Sequence, residues 1–142
     1  MEIKRNEATI NRPKGDRVID GSYVFINLPA TLMQLQQEKA WEKNDRNGIT
    51  VFKSDDLAIV LSTLKAGSQL PDNSVDGYIT LHLINGKVNV VTDDGDVILL
   101  PNQLMAFHPG VNHSVQVIDD SVLLLTNYSI SKEVISGDDE IL

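Results

Sequence analysis

From residue 49 onward the chain is cut into short runs of β-forming residues, at 49–53, 58–65, 78–84, 87–92, 97–100, 103–108, 113–118 and 121–126. Most are long enough for one strand of a compact barrel and too short for a helix that buries a face. The joints are as informative as the runs. Asn85-Gly86 and Asp94-Gly95 tolerate the positive φ of a two-residue hairpin, Asp119-Asp120 suits a third tight turn, and Pro109-Gly110 breaks the chain before His113. Closely spaced turns make sequential strands antiparallel neighbours, so the pattern predicts an all-β barrel or sandwich.

The first part of the chain reads differently. Residues 1–20 are polar and charged without a sustained period, which predicts an N-terminal arm. Residues 22–28 alternate Tyr23, Phe25 and Asn27 with Val24, Ile26 and Leu28, a strand pattern that Pro29 would close. Helix formers fill residues 31–43, opened by Thr31 with Gln34 three positions on, the pattern of a capping box. Leu32, Leu35 and Trp41 give this helix a narrow apolar stripe, while Gln34, Gln36, Gln37, Glu38 and Lys39 favour water, so it should lie on a sheet surface. The run from Val122 to Leu125 has no alternation, so both of its faces need cover, from the barrel interior and from a helix or a second subunit. That requirement points to a homodimer. The expected organisation is an arm over 1–20, one barrel domain over 21–130 that includes the helix 31–43, and a mobile C-terminal tail over 131–142.

Charge and composition narrow the partners. Twelve basic residues against twenty acidic ones leave a net charge of −8, which repels phosphate backbones and anionic lipid alike, so neither nucleic acid nor a membrane is an expected partner. No apolar run is long enough to span a bilayer and the first residues hold no apolar signal core, which points to the cytoplasm. The chain has no cysteine, so histidine, carboxylates and hydroxyls must carry any chemistry. No phosphate-binding glycine loop, nucleophile elbow or His-Glu-x-x-His sequence is present, and the Asp-Asp pairs at 55–56, 93–94 and 119–120 fall between expected strands, as turn residues do.

Two segments carry a family resemblance. Gly67, Asn73, Val75, Ile79 and Gly86 keep the spacing of a motif that runs glycine, His-x-His, glutamate, glycine; Asn102, His108, Gly110, His113 and Val117 keep that of a second, running glycine, Pro-x-Gly, histidine, asparagine. In both spacing and turn residues the chain resembles the cupins, small jelly-roll barrels, over about residues 57–127. The resemblance implies a cupin-like jelly-roll barrel with one short N-terminal helix. It also implies where a metal would sit, and there this chain departs: Asn73, Val75 and Ile79 stand where two imidazoles and a carboxylate are usual, which leaves His113 alone of the four. One imidazole cannot hold a divalent ion against water, so no metal or other cofactor is expected. Asn102 can take the left-handed conformation of the glycine it replaces.

If Ile79 points inward, two-residue periodicity turns Leu81 and Leu83 inward and His82 outward, and sets His113, Val115 and Val117 on the inner face. The sequence therefore predicts a metal-free module that binds or senses a small organic ligand, lined by Asn73, Val75, Ile79, Leu81, His108, His113 and Val115, with Asn73 and His113 as polar handles. No catalytic residue is assigned, and the balance leans away from an enzyme. Two alternatives stand beside it. One is a cupin enzyme, either using a metal through His108 and His113 or acting as a metal-free isomerase with His113 as base. The other is a structural or interaction protein with a filled barrel.

Overall fold

The computed structural model describes residues 1–73 and 75–129, so the tail 131–142 lies outside the described residues. The chain opens with β1 (Lys4–Asn6) and β2 (Arg17–Asp20), then α1 (Leu28–Gln37) and α2 (Lys39–Lys43). Seven strands follow: β3 (Arg46–Lys53), β4 (Leu57–Leu64), β5 (Gln69–Asn73), β6 (Gly77–Thr92), β7 (Gly95–Leu99), β8 (Gln103–Phe107) and β9 (His113–Ser129).

Two long strands organise the barrel. β6 and β9 pair antiparallel along their length, and the register shifts where Asn85 and Lys87 face Val122 and Asp119. On one side of that irregularity the order is β3-β4-β9-β6-β8, and on the other β5-β9-β6-β7. The sheet is thereby split into two halves whose facing sides enclose the main core of Leu64, Leu81, Leu83, Val88, Val90, Val117 and Leu123, among others. This is a jelly-roll barrel.

The irregularity corrects two expected turns. Asn85-Gly86 and Asp119-Asp120 do not reverse the chain; they lie inside β6 and β9 as opposed bulges. Gly86 has φ +99°, and a Cβ there would overlap Ser121 Oγ and Asp120 O, while Ser121 Oγ accepts from Lys87 N at 3.1 Å. A bulge asks for the same positive φ as a hairpin, so the dipeptide alone cannot say which it forms. The Asp93-Asp94 turn does reverse the chain, with Thr92 paired to Gly95. β1, β2 and β5 were not expected at all; a short strand in a polar segment leaves no periodic signal.

The expected strand at 22–28 and helix at 31–43 also shift. Residues 22–27 join no ladder, although Tyr23 and Phe25 face out and Val24 and Ile26 are half-buried, as the alternation predicts. Asn27, not Thr31, caps the helix: its Oδ1 accepts from Ala30 N at 3.1 Å, and Pro29 sits in the first turn, where a missing N–H costs nothing. The helix breaks at Glu38, whose backbone is extended. α1 buries Leu35 against Ile49, Val51, Leu61 and Val122 on the outer face of the sheet. The outward half of the 122–125 run is thus covered by the chain's own helix, so that run needs no second subunit. α2 is tied down by Lys65, whose Nζ lies 4.8 Å from the Trp41 ring centre and donates to Trp41 O at 2.7 Å.

Candidate functional site at the barrel mouth

Cross-strand partners share a face, so the rows of the sheet locate each side chain. Deep in the barrel, Leu81, Leu83, Val88, Val90 and Leu123 are at most 1% exposed. A void large enough for water would expose its lining, so this depth is filled. Toward the start of β6 the lining changes character. Ile79 is flanked by Phe107 of β8 on one side and Asn127 of β9 on the other, and all three belong to one inward row.

His113, the first residue of β9, is buried at 4% exposure and lies flat on Phe107, ring centres 4.2 Å apart and planes 12° apart. Its Nδ1 is 3.2 Å from Val111 O, a distance at which a protonated Nδ1 donates to the carbonyl and leaves Nε2 as the acceptor. Nε2 meets no partner among the described residues. Asn127 Oδ1 is buried and likewise without a hydrogen-bond partner among them. An acceptor left unpaired in the interior costs about 1–3 kcal/mol, which is a reason to look for what satisfies it.

The residues singled out from sequence distribute as follows. Ile79, Leu81, His113 and Val115 line the interior, and Val75 packs against the same core while partly exposed. His108 is exposed on the outer side, against Tyr78 with ring centres 5.2 Å apart, so His108 and His113 are not brought together. The side chain of Asn73 lies outside the described residues; its backbone pairs with His113. Phe107 and Asn127 were missed, yet both were legible: Phe107 follows Met105 inward, and Asn127 continues the inward series Leu123, Leu125.

The mouth does not fit the usual cupin metal. Val75 and Ile79 offer no lone pair, His113 already engages one nitrogen, and the described residues contain no group of three or more His, Asp or Glu placed to hold an ion. The turn positions of the two motifs, in contrast, survive: φ is +90° at Gly67, +99° at Gly86, +68° at Asn102 and +82° at Gly110.

A second polar centre holds the arm. Arg12 Nε donates to both oxygens of Glu38 at 3.1 and 3.2 Å, and Asn47 Nδ2 and Gln34 Nε2 also donate to that carboxylate. Glu38, expected in water, keeps only 9% of its side chain exposed. Burial alone would raise its pKa, but hydrogen bonds from Asn47, Arg12 and Gln34 outweigh that and hold the carboxyl below its usual range. Arg12 and Arg17 also donate to Gly48 O and Thr50 O, capping carbonyls of the edge strand β3 where another strand would otherwise pair. No helix among the described residues is long and apolar enough to cross a membrane.

No family model matches the sequence, and no curated protein is detectably similar to it. Solved structures are. The cupin domain of Cnp3 from Schizosaccharomyces pombe superposes with TM-score 0.63 at 18% identity, over 92% of this chain and 89% of that one. A cupin superfamily protein from Desulfitobacterium hafniense gives TM-score 0.60 at 16% identity, over 61% of this chain and 80% of that one. A conserved protein of unknown function from Streptococcus pyogenes gives TM-score 0.60 at 16% identity, over 80% and 92%. At these identities the likeness speaks for architecture, and with the jelly-roll topology and the four motif turns it establishes that the chain has the fold of the cupin superfamily.

Proposed function

We propose that this chain is a metal-free cupin that binds a small organic ligand at the barrel mouth, above a filled interior. The observation that carries the reading is the orphan acceptor: Asn127 Oδ1, buried without a partner among the described residues, in the same inward row as Ile79 and Phe107. Across Ile79 in that row, Phe107 and the His113 ring stacked on it supply a flat aromatic surface and an imidazole with one nitrogen committed. The ligand class this fits is a small planar or partly apolar molecule with a hydrogen-bond donor for Asn127, a demand that needs no metal. Among the described residues the hydrogen-bond partner of His113 is the Val111 carbonyl and not a carboxylate that would charge or orient the ring, which supports a reading of binding over general base catalysis.

A screen of small organic molecules by thermal shift tests this. The expected result is stabilisation by one chemical class, lost in both Asn127→Leu and His113→Ala. A second reading, a structural or interaction protein with a closed barrel, is favoured by the near-zero exposure of the deep residues. It becomes the better account if no compound shifts the wild type and Asn127 proves to hold only a water.

A further inference from the structure

The sequence holds two Asn-Gly pairs, Asn47-Gly48 and Asn85-Gly86, and the fold treats them in opposite ways. In this dipeptide the glycine nitrogen can attack the asparagine side-chain amide, because no Cβ hinders closure of the five-membered ring. Asn47 is shielded from that reaction. It is 7% exposed within β3, its Nδ2 donates to Leu35 O at 2.9 Å and to Glu38 Oε1 at 3.0 Å, and its Oδ1 accepts from Arg12 at 3.2 Å. Asn85 sits in the open instead. It is exposed, and its Oδ1 accepts from Gly86 N at 3.0 Å, which holds the nucleophilic nitrogen beside the amide it would attack.

The surroundings decide what conversion at Asn85 would do. Asn85 and Gly86 form the bulge of β6 at which the two halves of the barrel meet. Gly86, at φ +99°, lies against Asp120 O and Ser121 with no room for even a methyl group. Ser121 is buried, and its Oγ accepts from Lys87 N at 3.1 Å and donates to Asp119 O at 2.6 Å. Asp120 Oδ1 in turn accepts from Ala66 N at 2.8 Å. The joint is thus fitted to one backbone geometry on both strands.

We propose that Asn85 is a site of spontaneous deamidation and that conversion there loosens the joint between the two half-sheets. Gly86 N, on losing its proton to solvent hydroxide, forms a bond to Asn85 Cγ. The Cγ–Nδ2 bond breaks, and the nitrogen takes a proton from water and leaves as ammonia, giving a cyclic imide. Water then opens the imide at either carbonyl, to aspartate or to isoaspartate. Nothing is oxidised or reduced, and water is the one co-reactant. The aspartate product adds a negative charge to the joint that already carries Asp119 and Asp120, on a chain whose net charge is −8. The isoaspartate product adds a methylene to the main chain where Gly86 has no space to give. The chemistry asks nothing of the mouth and stands apart from what binds there.

Peptide mass mapping of the full chain, held folded in mildly alkaline buffer, tests the site. Asn85 should convert to a mixture of aspartate and isoaspartate at least about tenfold faster than Asn47, whose hydrogen bonds must first open. In denaturant the two rates should come together. An Asn85 that stays intact in the folded protein, or that converts no faster than Asn47, would overturn the assignment. So would a difference that persists in denaturant, since it would belong to the neighbouring residues and not to the fold. The aged wild type should unfold at a midpoint about 3 °C or more below that of fresh protein. Asn85→Gln, whose longer side chain closes the ring poorly, should age without that loss. Converted and intact fractions of the wild type, separated by charge, give the same comparison without a variant. Full conversion at an unchanged midpoint, or an equal loss in Asn85→Gln, would contradict the loosening of the joint.

Discussion

Deep in the barrel, Leu81, Leu83, Val88, Val90 and Leu123 pack in one apolar cluster and are at most 1% exposed, whereas two residues before Leu81 on the same strand Ile79 shares its row with an amide whose oxygen has no partner among the described residues. Both regions are buried, and both lie on the same two long strands. The difference is in what each would gain by change. The depth is close to its packing optimum, so any alteration there costs stability. The mouth keeps a buried polar atom that an apolar substitution would improve on, the difference expected between the binding site proposed above and a core kept for folding.

The contrast gives a graded set of expectations. Leu83→Ala, at a residue with no exposure, should cost about 2–5 kcal/mol in denaturant unfolding, since the filled depth cannot collapse around the missing atoms. A markedly smaller loss would mean the depth is looser than its exposure implies. Glu38→Gln lies outside the barrel and serves as the control. It should cost about 1.5–3 kcal/mol at neutral pH, the worth of hydrogen bonds to a charged group. Because the Glu38 carboxyl is held below its usual range, its contribution is present above the unfolded-state pKa and is lost as pH falls through the lowered folded value. The gap between Glu38→Gln and wild type should therefore close on acidification, while the Leu83→Ala loss should not.

Asn127→Leu should move stability the other way, raising it by about 1–3 kcal/mol in the absence of ligand by removing the orphan acceptor. A destabilised Asn127→Leu would remove the difference between mouth and depth. The smallest effect is expected for His113→Phe, which keeps the stack on Phe107 and should change stability by about 1 kcal/mol or less while abolishing ligand shifts.

How much of this was readable beforehand follows from which forces leave a periodic mark. Apolar alternation placed Ile79, Leu81, Leu83, Val115 and Val117 on the inner face and put the helix on the outer one, because burial repeats every second residue in a strand. The left-handed Asn102 followed from its place in a motif. The bulges at Asn85-Gly86 and Asp119-Asp120 read as turns because the local backbone demand is the same and only long-range pairing tells them apart. Glu38 read as a solvated residue because nothing near it in sequence announces Arg12 or Asn47. The mouth was half legible: His113 was found by spacing, whereas its neighbours Phe107 and Asn127 needed the rows of the sheet to bring three strands together.

The measurement that bears most directly on a metal-free binding mouth is the metal content of untagged protein purified without chelators, before and after incubation with iron, manganese, nickel and zinc. The account predicts essentially none in either sample. Close to one equivalent, lost when His113 is replaced by alanine, would contradict it and restore the metal chemistry that Val75 and Ile79 argue against.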